Sequence, residues 1–423
     1  GAAAGWRARH ELRAFARERW ATLLLAEQLF LLLWLSFVVV RALNPDLWHP
    51  ARGGEKPMDL AFLTAVVKSP FFPPYDPWFA GGFLNYYYFG FVLVGALVHL
   101  TGVLPTTAYN LAVPTLFALT ALGAWGAVYN LLAPSDSNAE KQADQAPEPG
   151  GARLLARERR AIGTGLAAAV FVVLLGPLTQ ALWFLPGSAN ADAGQPAACQ
   201  ASSSYAAQQS CQGRAEWAFW DATRLVGMHE GDSTINEFPF FTFLFADLHA
   251  HMIALPLALL ALALMVAAAR TEQHTREAGP SARSAGAWLA ILGALALVLG
   301  ALRATNTWDF PTYMALSFVT LGFLAWRRLQ RGASLPRTAI AWVGALAALL
   351  LGSTLLFQPF LRSFATDYAG FELWHGTRTS AADFLRINGL WLFMLLSGAV
   401  LLYWRRGARP ALLALIGGAP PLL

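Results

Sequence analysis

The chain has 423 residues, of which 56% are hydrophobic and 13% charged, and its formal net charge is +5. Soluble domains carry about 25% charged residues, so this chain cannot cover a globular surface of its size with polar groups. The arginines cluster at the ends of apolar segments, which is typical of membrane orientation, and no basic stripe with interleaved aromatic residues indicates nucleic-acid binding. The composition therefore predicts an all-α polytopic protein that lies in the lipid bilayer.

Eight apolar segments approach the length of about 20 helical residues that a bilayer crossing requires. They cover residues 21–40, 108–132, 162–184, 252–269, 285–302, 312–326, 340–357 and 387–403. We expect them to form one transmembrane domain, residues 1–423. Because the chain starts at Gly1 instead of a methionine and stops within an apolar segment that begins at Ala411, we expect a fragment of a longer protein.

A further apolar stretch, residues 83–103, decides the predicted orientation. If it lies in the membrane interface and does not cross, all arginine-rich connections fall on the cytoplasmic side. These five connections are residues 7–19, 153–160, 270–283, 327–337 and 405–409. Its opening residues Tyr86, Tyr87 and Tyr88 favour this interpretation, since amphipathic aromatic rings prefer the headgroup layer. We therefore predict a plasma-membrane protein with a cytoplasmic N-terminus and with long extracytoplasmic loops at residues 41–107 and 185–251.

Two polar segments between the apolar ones are predicted to be flexible. Residues 133–160 form a cytoplasmic linker rich in Pro, Ala, Asp and Glu in its first part. Residues 187–212, rich in Ser, Ala and Gln, form a disordered insertion in the second extracytoplasmic loop. This insertion holds Cys199 and Cys211, which either form a disulfide or remain two free thiols.

The first extracytoplasmic loop concentrates acidic residues beside the bilayer. Glu55, Asp59 and Asp76 stand among apolar and proline residues, where a carboxylate is unfavourable next to lipid. Residues 58–67 are predicted to form a short helix, so Asp59 near its start is either a stabilising charge at the helix N-terminus or a functional group. The functional interpretation is a general base or a metal ligand.

The second loop ends with Asp247, His249 and His251 at the entry to a predicted span. Asp247 and His251 are four residues apart, so a helix would place them on one face. One carboxylate and two imidazoles suit a divalent metal ion as cofactor. The alternative is that these histidines are hydrogen-bonding residues at the membrane interface.

Basic residues on the predicted outer face indicate an anionic ligand. Arg303 lies in a short turn that also holds Asn306 and Asp309, and Arg378 lies in the third outer loop, residues 358–386. Arg303 either pairs with Asp309 or binds a phosphate through bidentate hydrogen bonds. The other outer arginines either bind a lipid-linked phosphate or contact lipid headgroups.

Several motifs in order resemble the largely uncharacterised bacterial and archaeal membrane family named for its Tyr-Tyr-Tyr motif. The resemblance covers residues 41–386 and rests on Glu55-Lys56-Pro57-Met58-Asp59, Asp76-Pro77-Trp78, Asn85-Tyr86-Tyr87-Tyr88, Ile235-Asn236-Glu237-Phe238-Pro239-Phe240-Phe241, Asp247-Leu248-His249 and Asn306-Thr307-Trp308-Asp309. That family is in turn similar to the C-type glycosyltransferase superfamily (GT-C).

The resemblance implies a GT-C-like helical bundle whose long first loop contains interfacial helices. It implies a glycosyltransferase that moves a sugar from a polyprenyl-phosphate donor to an acceptor on the extracytoplasmic face. Asp59 would be the essential carboxylate of the first loop, with Glu55 as the alternative. The substrate-binding candidates are Arg303, Arg378, Asp76, Asn85, Tyr86, Tyr87, Tyr88, Glu237, Asn306 and Asp309.

Three other functions remain open from the sequence. They are a transporter or flippase of a lipid-linked or anionic substrate, a metal-dependent lipid hydrolase centred on Asp247, His249 and His251, and a structural subunit. The polar residues lie at span ends and no internal repeat is evident, which disfavours a transporter.

Overall fold

The computed structural model describes residues 5–6, 8–48, 54–133, 150–178, 180, 222–223, 226, 235–279, 282–365, 373, 375 and 378–405. Within these residues the secondary structure is helical, and an isolated antiparallel bridge joins Tyr75 to Phe83. The chain divides into two compact units. The first comprises Gly1–Leu174 with Phe243–Ala369, and the second comprises Leu175–Thr242 with Gly370–Leu423.

The helices of the described residues are numbered here in chain order. They are α1 (Arg9–Glu18), α2 (Trp20–Leu43), α3 (Lys56–Lys68), α4 (Phe89–Thr101), α5 (Pro105–Leu132), α6 (Gly150–Leu174), α7 (Pro239–Phe245), α8 (Ala250–Ala278), α9 (Ala282–Thr305), α10 (Asp309–Leu329), α11 (Leu335–Leu356), α12 (Gln358–Ser363) and α13 (Ala381–Arg405).

Six helices of the described part are long and apolar enough to cross a membrane: α2, α5, α8, α9, α11 and α13. They confirm the multi-pass, all-helical class and coincide with six of the eight predicted spans. The predicted span 162–184 differs, because α6 ends at Leu174 and part of the segment lies outside the described residues. The predicted span 312–326 lies within α10, which has 21 residues but includes Asp309, Arg327 and Arg328.

The first loop contains the predicted short helix, which runs over Lys56–Lys68 as α3. The apolar stretch 83–103 is helical only over Phe89–Thr101, as α4, and its 13 residues measure about 20 Å, less than the bilayer core. Gly90 at its start packs against Ile253 and Thr305. Gly102, with a φ of 71°, ends α4, and Pro105 begins α5 three residues later.

Other predicted boundaries shift by helix extension. α9 continues to Thr305 and α10 begins at Asp309, so the predicted turn is only three residues long. The last part of the predicted linker 133–160 belongs to α6, which begins at Gly150. The predicted insertion 187–212, with Cys199 and Cys211, lies outside the described residues.

Helix α5 is central to the first unit and packs against α2, α6 and α8. Phe117 of α5 stacks on Phe37 of α2 at 4.3 Å and meets Phe243 edge-on at 5.3 Å between ring centroids. Such pairs add to the apolar burial of a helix contact. This packing fixes the start of α5 beside the start of α8, where the candidate site lies.

Candidate active site

The start of α3 is joined to the segment before α8 by contacts to one carboxylate. The ammonium of Lys56 lies 2.7 Å from Oδ1 of Asp247, and the backbone N–H of Glu55 donates to Oδ2 at 2.8 Å. Gly54 precedes this start with a φ of 61°, and a β-carbon there would collide with the Asp247 carboxylate. Glycine is therefore required both by the backbone conformation and by the close approach.

The Tyr109 hydroxyl fixes the other side of the same segment. This side chain is fully buried near the start of α5, accepts the backbone N–H of Leu248 at 2.8 Å and donates to the carbonyl of Ala246 at 3.3 Å. Ala246 has a φ of 64°, a left-handed conformation that is unfavourable for alanine. The two hydrogen bonds from α5 hold this turn, and the turn directs Asp247 towards α3.

Three carboxylates converge on one imidazole nitrogen. Nε2 of His249 lies 3.0 Å from Oε2 of Glu55, 3.6 Å from Oδ2 of Asp59 and 3.8 Å from Oδ2 of Asp247. We call Glu55, Asp59, Asp247 and His249 the acid cluster. Glu55 has 60% of its side chain exposed and Asp59 has none, so the cluster runs from solvent to a fully buried carboxyl.

The buried carboxyl of Asp59 has a raised pKa. Neither of its carboxyl oxygens accepts a hydrogen bond of normal geometry from a described residue. Burial raises the pKa of Asp59 to about 8, the negative charges of Asp247 and Glu55 act in the same direction, and Lys56 and the nearby Tyr109 hydroxyl oppose the shift. A buried carboxyl that titrates near neutral pH can both release and accept a proton during a reaction.

The three tyrosines of the Tyr-Tyr-Tyr motif differ in what they contact. Tyr86 packs on Phe62 of α3 at 5.1 Å between ring centroids, and its pKa is raised by burial and by the charges of Asp59 and Glu55. Tyr87 contacts Phe364, and Tyr88 is buried. Tyr86 therefore faces the acid cluster, while the other two join the first loop to the residues around α12.

Two other predicted residues of the first loop stabilise local backbone. Oδ1 of Asp76 accepts the N–H groups of Trp78 at 2.8 Å and Phe79 at 3.1 Å, which closes a turn. Asn85 exchanges two hydrogen bonds of 3.0 Å with the backbone of Ala365. These contacts give both residues a structural role.

The turn between α9 and α10 is closed by its own side chains. Asn306 donates to Oδ2 of Asp309 at 3.1 Å, so Asp309 pairs with Asn306 and not with Arg303. The Arg303 guanidinium lies 5.1 Å from the ring centroid of Phe310, and it makes no ion pair within the described chain. Arg303 lies two residues before Thr305, the last residue of α9, and no described carboxylate neutralises its guanidinium.

Two predicted substrate-binding residues belong to the second unit. Arg378 is exposed, and Glu237 accepts a hydrogen bond from the Thr242 hydroxyl at 3.0 Å. The acid cluster belongs to the first unit.

The residues predicted to bind a metal do not form a ligand set in the described part of the chain. No group of three or more His, Cys, Asp or Glu side chains there has the arrangement of a metal site. Asp247 is instead occupied by Lys56, and the rings of His249 and His251 are 5.5 Å apart at 68°. An ammonium group 2.7 Å from Asp247 opposes the binding of a cation to that carboxylate, and the metal site itself stays a prediction.

Sequence reasoning missed two residues that shape the acid cluster. Lys56 lies inside the quoted motif of the first loop but was given no role. Tyr109 lies at the start of a predicted span, where a tyrosine is expected to mark the membrane interface. Its hydrogen bonds to a segment more than a hundred residues away leave no signal in the spacing of the sequence.

Comparison with known proteins gives a family without a described activity. The family described as "Uncharacterized membrane protein (DUF2298)" matches residues 1–422. No curated protein matches the chain, and no solved structure matches it. The match covers nearly the whole sequence, and the chain therefore belongs to this membrane protein family.

Proposed function

We propose that the protein is a membrane glycosyltransferase with the acid cluster as its active site, on the extracytoplasmic face. It would transfer a sugar from a polyprenyl-phosphate donor to an acceptor hydroxyl with inversion at the anomeric carbon. The observation that carries the proposal is Asp59, a fully buried carboxyl with a pKa of about 8 that lies 3.6 Å from His249. Strongly perturbed carboxyls of this kind concentrate at catalytic sites.

Asp59 would act as the general base. As the acceptor oxygen bonds to the anomeric carbon, the acceptor proton moves to Asp59, and the bond from that carbon to the phosphate oxygen breaks. A positioned base of this type contributes about 10²–10⁴ to the rate, and its optimum pKa lies near the working pH. The buried environment provides that pKa, since an exposed aspartate would remain ionised and be a weak base.

His249 and Glu55 would return the proton to solvent. Nε2 of His249 lies between the buried Asp59 and the exposed Glu55, at 3.6 Å and 3.0 Å. Lys56 holds Asp247 in place beside them. This arrangement supports a path from the reacting hydroxyl to water that does not need Asp59 itself to be exposed.

Arg303 would bind the phosphate of the donor. Its guanidinium has no carboxylate partner in the described residues and lies at the end of α9 against which α4 begins. A guanidinium suits a leaving phosphate because it offers paired donors to the charge that develops there. The short apolar α4 would lie in the outer interface and present this region to the donor.

The test is transfer from a labelled polyprenyl-phosphate sugar in proteoliposomes. We expect Asp59→Asn to lower the transfer rate by about 10²–10⁴, because the amide cannot accept the proton. Asp46→Asn is the matched control, since Asp46 is an exposed carboxylate of the same loop outside the acid cluster. It should leave the rate unchanged.

Other outcomes assign the reaction differently. Release of free sugar without an acceptor would indicate hydrolysis at the same site. Transport of the intact labelled lipid across the bilayer, with no bond broken, would indicate a flippase. Full transfer activity in the double variant Asp59→Asn, Glu55→Gln would exclude the acid cluster as the source of the base.

A further inference from the structure

Helix α1, Arg9–Glu18, carries an exposed apolar face. None of its residues is buried within the described part of the chain. At 3.6 residues per turn, Leu12, Phe15 and Ala16 lie on one face of the helix. Leu12 is 53% exposed and Phe15 is 54% exposed. A contiguous apolar face that stays exposed marks a contact with another protein or with lipid.

The end of α1 lies where the chain enters the membrane. Arg19 is the single residue between α1 and the spanning helix α2, and its Nη1 lies 4.0 Å from Oε1 of Glu158 on α6. The Thr22 hydroxyl donates to the same oxygen at 3.3 Å. Trp20, the first residue of α2, is 63% exposed, and tryptophan is common at the level of the headgroups. The lipid headgroup layer is therefore the surface that α1 meets first.

The charges of α1 are separated around the helix. Three arginines spaced four residues apart form a stripe that borders the apolar face: Arg9, Arg13 and Arg17. The two glutamates, Glu11 and Glu18, lie on the side away from this stripe. Residues 6–20 contain five arginines and these two glutamates, which gives a net charge of +3. A partner of α1 must therefore offer an apolar interior beside a negative surface.

We propose that α1 lies in the plane of the membrane surface and binds anionic phospholipids. Leu12 and Phe15 contact the acyl chains, and the arginine stripe contacts the headgroup phosphates. Amphipathic helices of this kind bury their apolar face in the boundary between headgroups and acyl chains. A second copy of α1 would bring the same positive stripe, which disfavours self-association through this face. The proposal concerns the helix that precedes the first span and does not depend on the proposed function.

Nitroxide labels on the full chain in lipid nanodiscs test the position of α1. Cys199 and Cys211 are replaced by serine, and the label is attached to Ala16→Cys or to Ala14→Cys. Ala14 is the matched control, because it lies two residues away on the opposite side of the helix. In phosphatidylglycerol nanodiscs, the label at position 16 should be more accessible to oxygen than to a water-soluble nickel complex, and the label at position 14 should show the reverse. In phosphatidylcholine nanodiscs, position 16 should become more accessible to the nickel complex.

Substitution of the arginines tests the recognition of charge. Each arginine near an anionic surface favours the bound helix about fivefold, so Arg13→Gln should lower the ratio of bound to free α1 by about that factor. Arg9→Gln, Arg13→Gln and Arg17→Gln together should lower it about a hundredfold. Arg337→Gln is the matched control at an exposed arginine of α11, and it should leave the label at position 16 unchanged. Circular dichroism checks that α1 and the spanning helices remain folded, which is expected because no residue of α1 is buried.

Three results would overturn the proposal. Full access of the nickel complex to position 16 in phosphatidylglycerol nanodiscs would show that α1 does not contact the bilayer. Equal protection of position 16 in phosphatidylglycerol and phosphatidylcholine would show that α1 does not select anionic lipids. Protection of position 16 from both oxygen and the nickel complex would show that a protein surface covers the apolar face.

Discussion

Two buried carboxylates near opposite ends of α8 differ in how their charges are compensated. Glu272 is paired with Arg328, and Arg331 lies 3.9 Å away. At the other end, about 33 Å along the helix by its rise, Asp59 shares one histidine with two further carboxylates. The Glu272 carboxylate joins two helices through Arg328, whereas burial raises the pKa of Asp59 to about 8. A buried acid with matched cations is structural, and one among other acids is a candidate for chemistry.

The largest effect on stability is expected at the pair of Arg328 and Glu272. Arg328→Ala should lower the free energy of unfolding by about 2 kcal/mol, since it leaves Glu272 with a distant partner, and the partial exposure of Arg328 keeps the loss below that of a fully buried pair. Unfolding in mixed micelles with increasing dodecyl sulfate measures it. Arg337→Ala, at an exposed arginine, should change little. Equal stability of both variants would show that the pair of Arg328 and Glu272 does not stabilise the fold.

Removal of the Tyr109 hydroxyl should affect both stability and transfer. Tyr109→Phe leaves the N–H of Leu248 buried without a partner, which costs about 1–2 kcal/mol, and releases the turn that carries Asp247 and His249. Tyr129→Phe is the matched control on α5, since its hydroxyl bonds Glu158, far from the acid cluster. It should lose some stability and keep its transfer rate per folded molecule.

Asp59→Asn should stabilise the fold while it removes activity. The pKa of Asp59 is about 8 in the folded protein and near 3.8 when exposed, so the unfolded chain loses this proton at lower pH than the folded chain does. Stability therefore falls as pH rises from about 4 to about 8. Asparagine has no proton to lose, so the variant should gain nothing near pH 4 and should gain stability relative to the wild type as the pH rises to about 8, by up to roughly 1.4 kcal/mol per pH unit. A variant less stable than the wild type at pH 8 contradicts the assignment.

The smallest effect is expected for Glu55, the most exposed residue of the acid cluster. The charge of Glu55 raises the pKa of Asp59, so Glu55→Gln should move the midpoint of the pH–rate profile to lower pH, by roughly half a unit given the exposure of Glu55. A pH series of the transfer assay measures this shift. Loss of transfer at every pH would instead show that Glu55 is the base or that the proton leaves only through Glu55.

Much of the fold could be predicted because hydrophobic length is a local property. The apolar segments at 21–40 and 108–132 became α2 and α5, and the first-loop helix appeared within two residues of its predicted bounds. The helix at 89–101 was predicted too long. The aromatic residues before it are apolar in composition, but contacts such as the one between Tyr88 and Phe72 hold them in an irregular segment.

The candidate site was only partly predictable. The sequence indicated Glu55, Asp59, Asp247 and His249 as separate groups, and the structure places them together. Spacing cannot show that Glu55 and Asp247, 192 residues apart, share a hydrogen bond, or that Lys56 occupies the carboxylate proposed as a metal ligand. The periodicity of helices reports which residues face a core, but not which helix ends meet.

Titration of Asp59 itself tests most directly whether this buried carboxyl is the general base. Infrared difference spectra between the wild type and Asp59→Asn isolate the carboxylic acid band of this one residue. We expect the band to persist at pH 6 and to disappear around pH 8, and we expect the transfer rate to rise through the same midpoint. A carboxylate already ionised at pH 5, or a transfer rate that falls as Asp59 ionises, would contradict its role as the general base.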